Sequence, residues 1–300
     1  MNDTVRDLVS LLDLEPIEIN IFRGRSVPTS ERGVYGGQVI GQALVAAERT
    51  VEGRAPHSLH GYFLLPGDGG APILYQVERI RDGKSFSTRR VQAVQHGRII
   101  FSMIASFQIA EPGFDHATPM PEVPPPGHLA STSELGERWL AEAGGETVDP
   151  RVSGWLTRPR PIEVRPVTPE NPLRPAPRAP AQAFWFRASE RLPDDPQVHR
   201  GLLAYATDHA LLTVALRPHG RSWALRDTMV ASLDHALWFH RPARFDDWLL
   251  YSMESPSAQA ARGLARGQIF DRQGCLVASV AQEGLVRDLR PPLSTSGEHG

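Results

Sequence analysis

Asp208, Ser232 and Gln282 put a carboxylate, a hydroxyl and an amide in the second half of a chain whose first half repeats its plan. The places that correspond in the first half hold Gln38, Ser58 and Ala105, so only the second half combines the three groups. A carboxylate can take a proton while a hydroxyl and an amide orient what is deprotonated, so the set suits general-base chemistry on a held water. Gln282 continues the face of Leu276, Ala278 and Val280, so its amide should point with an apolar face and need buried partners. Asp208 falls at the predicted start of a buried helix running to about Leu216, where free backbone N–H groups favour an anion and could donate to an oxyanion. A plain helix-start acid would sit in such a place too, but Gln38 in the other copy shows that capping alone does not require the carboxylate. Ser232 has the weakest independent claim, since Ser58 occurs in the half that lacks the other two groups.

The repeat fixes the architecture that must position these residues. His57-Ser58-Leu59-His60-Gly61-Tyr62-Phe63-Leu64-Leu65-Pro66 shares its plan with the run from Met229 to Pro242: Ser-Leu opens an apolar, strand-like stretch that closes at proline. Downstream, Arg90-Val91-Gln92 and the turn His96-Gly97 mirror Arg266-Gly267-Gln268 and Gln273-Gly274, and upstream Tyr35-Gly36-Gly37-Gln38 mirrors Tyr205-Ala206-Thr207-Asp208. Self-similarity on this scale means two copies of one unit. In the first unit, residues 1–110, the spacing predicts a lead-in helix over 1–14, a strand at Ile17–Phe22 and a helix over Gln38–Arg49 that is apolar nearly all round and therefore buried. Strands follow at about His57–Leu65, Ile73–Arg81, Ser85–Gln95 and Ile99–Gln108. Residues 111–182 shift to proline-rich clusters around one helix-like piece, Ser133–Ala143, with an edge strand at Pro161–Arg165; this is a proline-stiffened connector draped over the surface. The second unit, 183–290, opens at Ala183–Arg187 and adds strands at Val230–His240, Trp248–Ser255, Ala260–Phe270 and Leu276–Val286. Residues 291–300 form a polar, flexible tail.

Composition narrows the function classes. Three hundred residues, 41% hydrophobic, suit two domains with real cores, and a formal net charge of −2 with scattered basic residues leaves no nucleic-acid footprint. Cys275 is the only cysteine, which excludes an intrachain disulfide and suits a reducing compartment. The N-terminus has no basic segment leading into an apolar one, and no apolar stretch reaches the ~18 residues of a membrane span, so the cytoplasm is the expected location. Ser232, Asp234 and His235 lie too close on one strand for a nucleophilic triad, and Ser232 lacks a Gly-x-Ser-x-Gly elbow. His209, His235 and His240 show no metal-ligand spacing and read as core or strand-pairing residues; no metal and no cofactor are expected. Trp238 and Phe239 read as core.

The motifs Gly36-Gly37-Gln38-Val39-Ile40-Gly41-Gln42-Ala43, His57–Phe63, Tyr205-Ala206-Thr207-Asp208-His209 and Ser232–Pro242 together resemble the acyl-CoA thioesterase II family. Ala258-Gln259-Ala260-Ala261-Arg262-Gly263 and Val277–Gly284 extend the resemblance, which covers roughly 30–110 and 183–288; the connector matches only at Glu163–Val167. It implies an α+β protein of two tandem hot-dog domains, each an antiparallel sheet wrapped around a long central helix. It also implies hydrolysis of fatty acyl-CoA to a fatty acid and coenzyme A, with Asp208, Ser232 and Gln282 as the catalytic set. Some members have Thr where Ser232 stands. On this basis Asp208 would accept a proton from water held by Ser232 and Gln282, with no covalent intermediate. Arg262 and Arg266 are candidates for the coenzyme A head group, and a homo-oligomer is expected by analogy. Two other functions fit the same fold: an acyl-CoA binding or sensing module without catalysis, and an enoyl-CoA hydratase. Hydratases of this fold pair an Asp with a His five residues on, whereas Thr213 stands there.

Overall fold

The computed structural model describes residues 4–30, 33–144, 148–158 and 160–290; the expected tail, 291–300, lies outside them. The first half runs α1 (Val5–Leu12), β1 (Glu15–Glu18), β2 (Ile21–Gly24), β3 (Pro28–Ser30), β4 (Gly33–Val34), α2 (Gly36–Glu48), β5 (Ala55–Phe63), β6 (Ile73–Asp82), β7 (Phe86–Gln95) and β8 (Arg98–Gln108). The expected strand at Ile17–Phe22 is instead the hairpin β1–β2, because Asn20 takes a left-handed conformation (φ 62°) and turns the chain. The connector carries α3 (Thr132–Glu142), α4 (Pro150–Thr157) and β9 (Ile162–Pro166), and the second half continues with β10 (Ala181–Ala188), α5 (Pro196–Thr207), β11 (Thr228–Ser232), β12 (Asp234–Phe239), β13 (Leu249–Gln259), β14 (Arg262–Phe270) and β15 (Leu276–Asp288).

The two halves share one antiparallel sheet, ordered β1-β2-β6-β7-β8-β5-β12-β15-β14-β13-β10-β9, with β11 also pairing β15. The join is β5 against β12, the two repeated runs themselves, with Leu59 opposite Leu237. Each unit thereby closes the edge that its copy leaves open. The sheet curls around α2 and α5. Gly37 lets the two helices touch: a Cβ there would lie 2.1 Å from the Tyr205 carbonyl oxygen. Gly41 faces Gly201 further along, so the helices run antiparallel, and the N-terminus of α2 meets the C-terminus of α5.

The second unit departs from the expected helix over Asp208–Leu216. The α-helix lies before Asp208: Asp195 caps it by accepting from the Gln197 N–H, and Pro196 supplies its preformed first turn. Ala210 then adopts a left-handed conformation (φ 61°), and only a short 3₁₀ turn, Leu211–Ala215, follows. Asp208 is therefore the C-terminal cap of α5, not the start of a helix. The connector is also more ordered than expected, since Asp149 and Pro150 start α4 by the same cap-plus-proline device.

At the far end of the helix pair, Glu48 of α2 is buried and pairs with Arg200 of α5 at 2.7 Å, while its Oε2 has no hydrogen-bond partner. Burial outweighs Arg200 and pushes the Glu48 carboxyl up from 4.5 to about 7. The folded chain thus binds a proton that the unfolded chain releases. This contribution to stability is complete below pH 4.5 and is lost as pH rises through about 7, roughly 3 kcal/mol in all. Glu48→Gln is expected to flatten the fall in stability between pH 5 and 8 in urea melts; an unchanged slope would show that Glu48 does not titrate in this way.

Candidate active site

The three residues singled out by the repeat meet at one point. Gln282 Nε2 donates to Asp208 Oδ1 at 2.8 Å and to Ser232 Oγ at 2.6 Å, and Ser232 Oγ donates to the same Oδ1 at 3.2 Å. Both contacts fall on one carboxylate oxygen. No protein hydrogen bond reaches Oδ2 among the described residues; Oδ2 lies toward Gly36, where a methyl group would come within 2.7 Å of it. Asp208 and Ser232 open onto a cavity of about 1090 Å³ lined from both halves, including Gly36, Phe63 and Leu65 of the first unit and Met229 of the second. Gln282, 1% exposed, stands behind them and does not line that cavity.

Strand irregularity aims the serine. Ser232 pairs with Gly284 and Ala236 with Ala281, so β11 and β12 together hold one residue more than the matching stretch of β15. The extra residue at the Leu233 break is a bulge, and a bulge reverses which face the following side chains take. Ser232 and buried His235 therefore share the inner face, although three positions separate them. The same shift corrects the repeat alignment. Leu59 lies opposite Ala105 in the first unit, and His235 lies beside Gln282 in the second, so the counterpart of Ser58 is Asp234 rather than Ser232.

The helix end facing the carboxylate belongs to the other unit. Asp208 caps the C-terminus of α5, which offers an anion nothing. Gly36, the first residue of α2, lies against Oδ2, so the positive end of the first unit's helix faces the site. Three tyrosines feel the Asp208 charge. Tyr35 and Tyr251 are pushed far up, first by burial and then by Asp208, and Tyr205 is pushed to about 12. All three stay neutral, with Tyr35 donating to the Tyr205 carbonyl and Tyr251 to that of Thr207.

The arginines proposed for the head group are not brought to this cavity. Arg262 and Arg266 project from the exposed side of β14 and pair with Glu283 at 3.0 Å and Glu254 at 2.6 Å. Among the described residues no group of three or more His, Cys, Asp or Glu could hold a metal ion. His209 lines a separate cavity of about 240 Å³ beside Trp155, where burial and Arg160 push it down to about 4. Trp238 does not enter the core: it alternates with inward Leu237 and packs edge-on against His60. Phe239 packs partly buried against the core. Sequence reading missed Gly36 and Phe63, whose part in the site follows from the helix and sheet contacts between halves, and His235.

Comparison with known proteins meets this geometry. A family model described as acyl-CoA thioesterase matches residues 156–285, and one described as acyl-CoA thioesterase N-terminal domain matches 25–108. Acyl-coenzyme A thioesterase 8 of Homo sapiens is 42% identical over 294 residues, covering 96% of this chain and 91% of its own. The chain belongs to the acyl-CoA thioesterase II family. Acyl-CoA thioesterase 2 of Haemophilus influenzae is 40% identical, with 96% of this chain and 99% of its own length covered. The crystal structure of the acyl-CoA thioesterase II TesB2 from Mycobacterium marinum is 46% identical and superposes with a TM-score of 0.75, covering 93% of this chain and 97% of that one. Membership makes the protein an acyl-CoA thioester hydrolase built from tandem hot-dog domains, and the joined sheet is how this chain realises them. No helix among the described residues is long and apolar enough to cross a membrane.

Proposed function

We propose that the protein hydrolyses fatty acyl-CoA to a free fatty acid and coenzyme A by direct attack of a water deprotonated by Asp208. The observation that carries this is the one-sided use of the carboxylate: Gln282 and Ser232 occupy Oδ1, leaving Oδ2 toward the cavity. A water held between Oδ2 and a thioester carbonyl gives up its proton to Asp208 as it attacks. Ser232, on the cavity wall, orients that water. Gln282 acts one step back as a positioning residue, since its amide protons hold the carboxylate and the hydroxyl rather than the water. The oxyanion falls to the N–H groups of Gly36 and Gly37 at the start of α2, in place of the helix start expected at Asp208. The tetrahedral intermediate then expels the coenzyme A thiolate, which takes the proton from Asp208.

Ser232 forms no ester in this scheme. Intact-protein mass spectrometry during turnover of a slow acyl-CoA is expected to show no acyl adduct; an adduct on Ser232 would replace direct attack by nucleophilic catalysis. Self-association is part of the same reading, supported by Tyr62 and Ile104, which stand exposed on the outer face of the sheet. The exposed free thiol of Cys275 supports a reducing compartment such as the cytoplasm.

A further inference from the structure

The Gln282 amide can serve in one orientation only. Turned over, it would set its carbonyl oxygen against the Asp208 carboxylate. As placed, its Oε1 lies 3.2 Å from Nδ1 of His235. An amide oxygen only accepts, so Nδ1 carries the proton. His235 is 1% exposed, and burial pushes it down against the opposing pull of Asp208, which keeps the ring neutral. A neutral ring protonated on Nδ1 has a bare Nε2, and the Thr207 hydroxyl stands 3.0 Å from it. That hydroxyl also lies 2.8 Å from the Ala204 carbonyl, but Nε2 is the buried acceptor with no other donor among the described residues. The contacts form a directed chain: Thr207 donates to His235, His235 donates to Gln282, and Gln282 donates to Asp208 and Ser232.

The first unit supplies the comparison. Where the second unit buries His235 against Gln282, the first pairs Leu59 with Ala105, both fully buried. Strand pairing and core packing are met there by apolar side chains, so the fold does not demand an imidazole. We propose that His235, seated by Thr207, is a positioning residue that locks the Gln282 amide so that its two donors stay on Asp208 and Ser232. This role presupposes the water-activating site proposed for Asp208.

A mutant cycle tests it, with folding followed by circular dichroism and thiol release measured on one acyl-CoA. His235→Leu is expected to lower kcat by about 10²-fold, the scale for a misplaced catalytic group, with KM changed less than about threefold. His235→Asn, whose amide N–H can still reach Oε1, should recover roughly tenfold of that loss. The double variant His235→Leu/Gln282→Ala should be no slower than Gln282→Ala alone, because His235 acts through Gln282. Thr207→Val, which keeps the shape and removes the hydroxyl, gives a second reading at about tenfold lower kcat. A kcat within threefold of the natural protein in a folded His235→Leu or Thr207→Val variant, or losses that multiply in the double variant, would overturn the role. If Asp208→Asn abolishes turnover while these variants do not, only the role of His235 fails. A natural rate in Asp208→Asn would overturn the site and this role with it.

Discussion

Asp208→Asn is expected to lower kcat by about 10²–10⁴-fold while leaving KM near its natural value, the signature of a lost general base. Asparagine keeps the size of the side chain and can still accept from Gln282 and Ser232 through its carbonyl oxygen. That choice turns its NH₂ to the place of Oδ2, so a donor faces the water where an acceptor is needed. The substrate keeps its cavity, because most of the wall around Asp208 comes from residues such as Gly36, Phe63, Leu65 and Met229, and asparagine keeps the size of the side chain. The fold should survive as well, since Asp208 caps a helix C-terminus where a charge is not required. Steady-state thiol release on a variant with a natural circular-dichroism spectrum decides the point; a kcat within tenfold of the natural protein would mean that another group takes the proton.

The second large effect is expected at Gln282. Gln282→Ala removes both hydrogen bonds that fix Asp208 Oδ1 and Ser232 Oγ, and it strips the acceptor from buried His235. Only the 3.2 Å contact from Ser232 Oγ to Asp208 Oδ1 then remains, so carboxylate and hydroxyl lose their fixed alignment, and this should cost about 10²-fold in kcat with little change in KM. Stability should fall too, by about 1–3 kcal/mol for the stranded imidazole N–H. The pairing of the two effects is diagnostic: Asp208→Asn should lose rate without comparable stability, and Gln282→Ala should lose both. Thermal melts beside the kinetics read this directly, and a Gln282→Ala protein with natural kcat would remove the amide from the site.

Much of this site was legible in the sequence because duplication supplies its own control. Comparing halves isolated Asp208 and Gln282, and the structure joins them through a single carboxylate oxygen. Alternation on β15 correctly turned Gln282 inward, since period-2 patterning survives in a regular strand. The misreadings have local causes. Two helices absent from the sequence reading start at Asp149-Pro150 and Asp195-Pro196, where proline fits the first turn instead of breaking the helix. The second of these moved Asp208 from a helix start to a helix end. A one-residue bulge at Leu233 leaves no compositional trace, yet it sets the face of Ser232 and hid the equivalence of His235 with Leu59. Strand parity puts Arg262 and Arg266 on the outer face of β14, away from the cavity that Asp208 lines. Nothing in a linear repeat shows that α2 of one copy faces the carboxylate of the other, since that contact exists only after the helices pack.

The most direct test of the whole account is thiol release from a series of short- to long-chain acyl-CoAs, run on the natural protein and on folded Asp208→Asn side by side. Turnover that varies with chain length and collapses in the variant is the expected result. Binding of acyl-CoA with no thiol released by the natural protein, or equal turnover by both proteins, would contradict it.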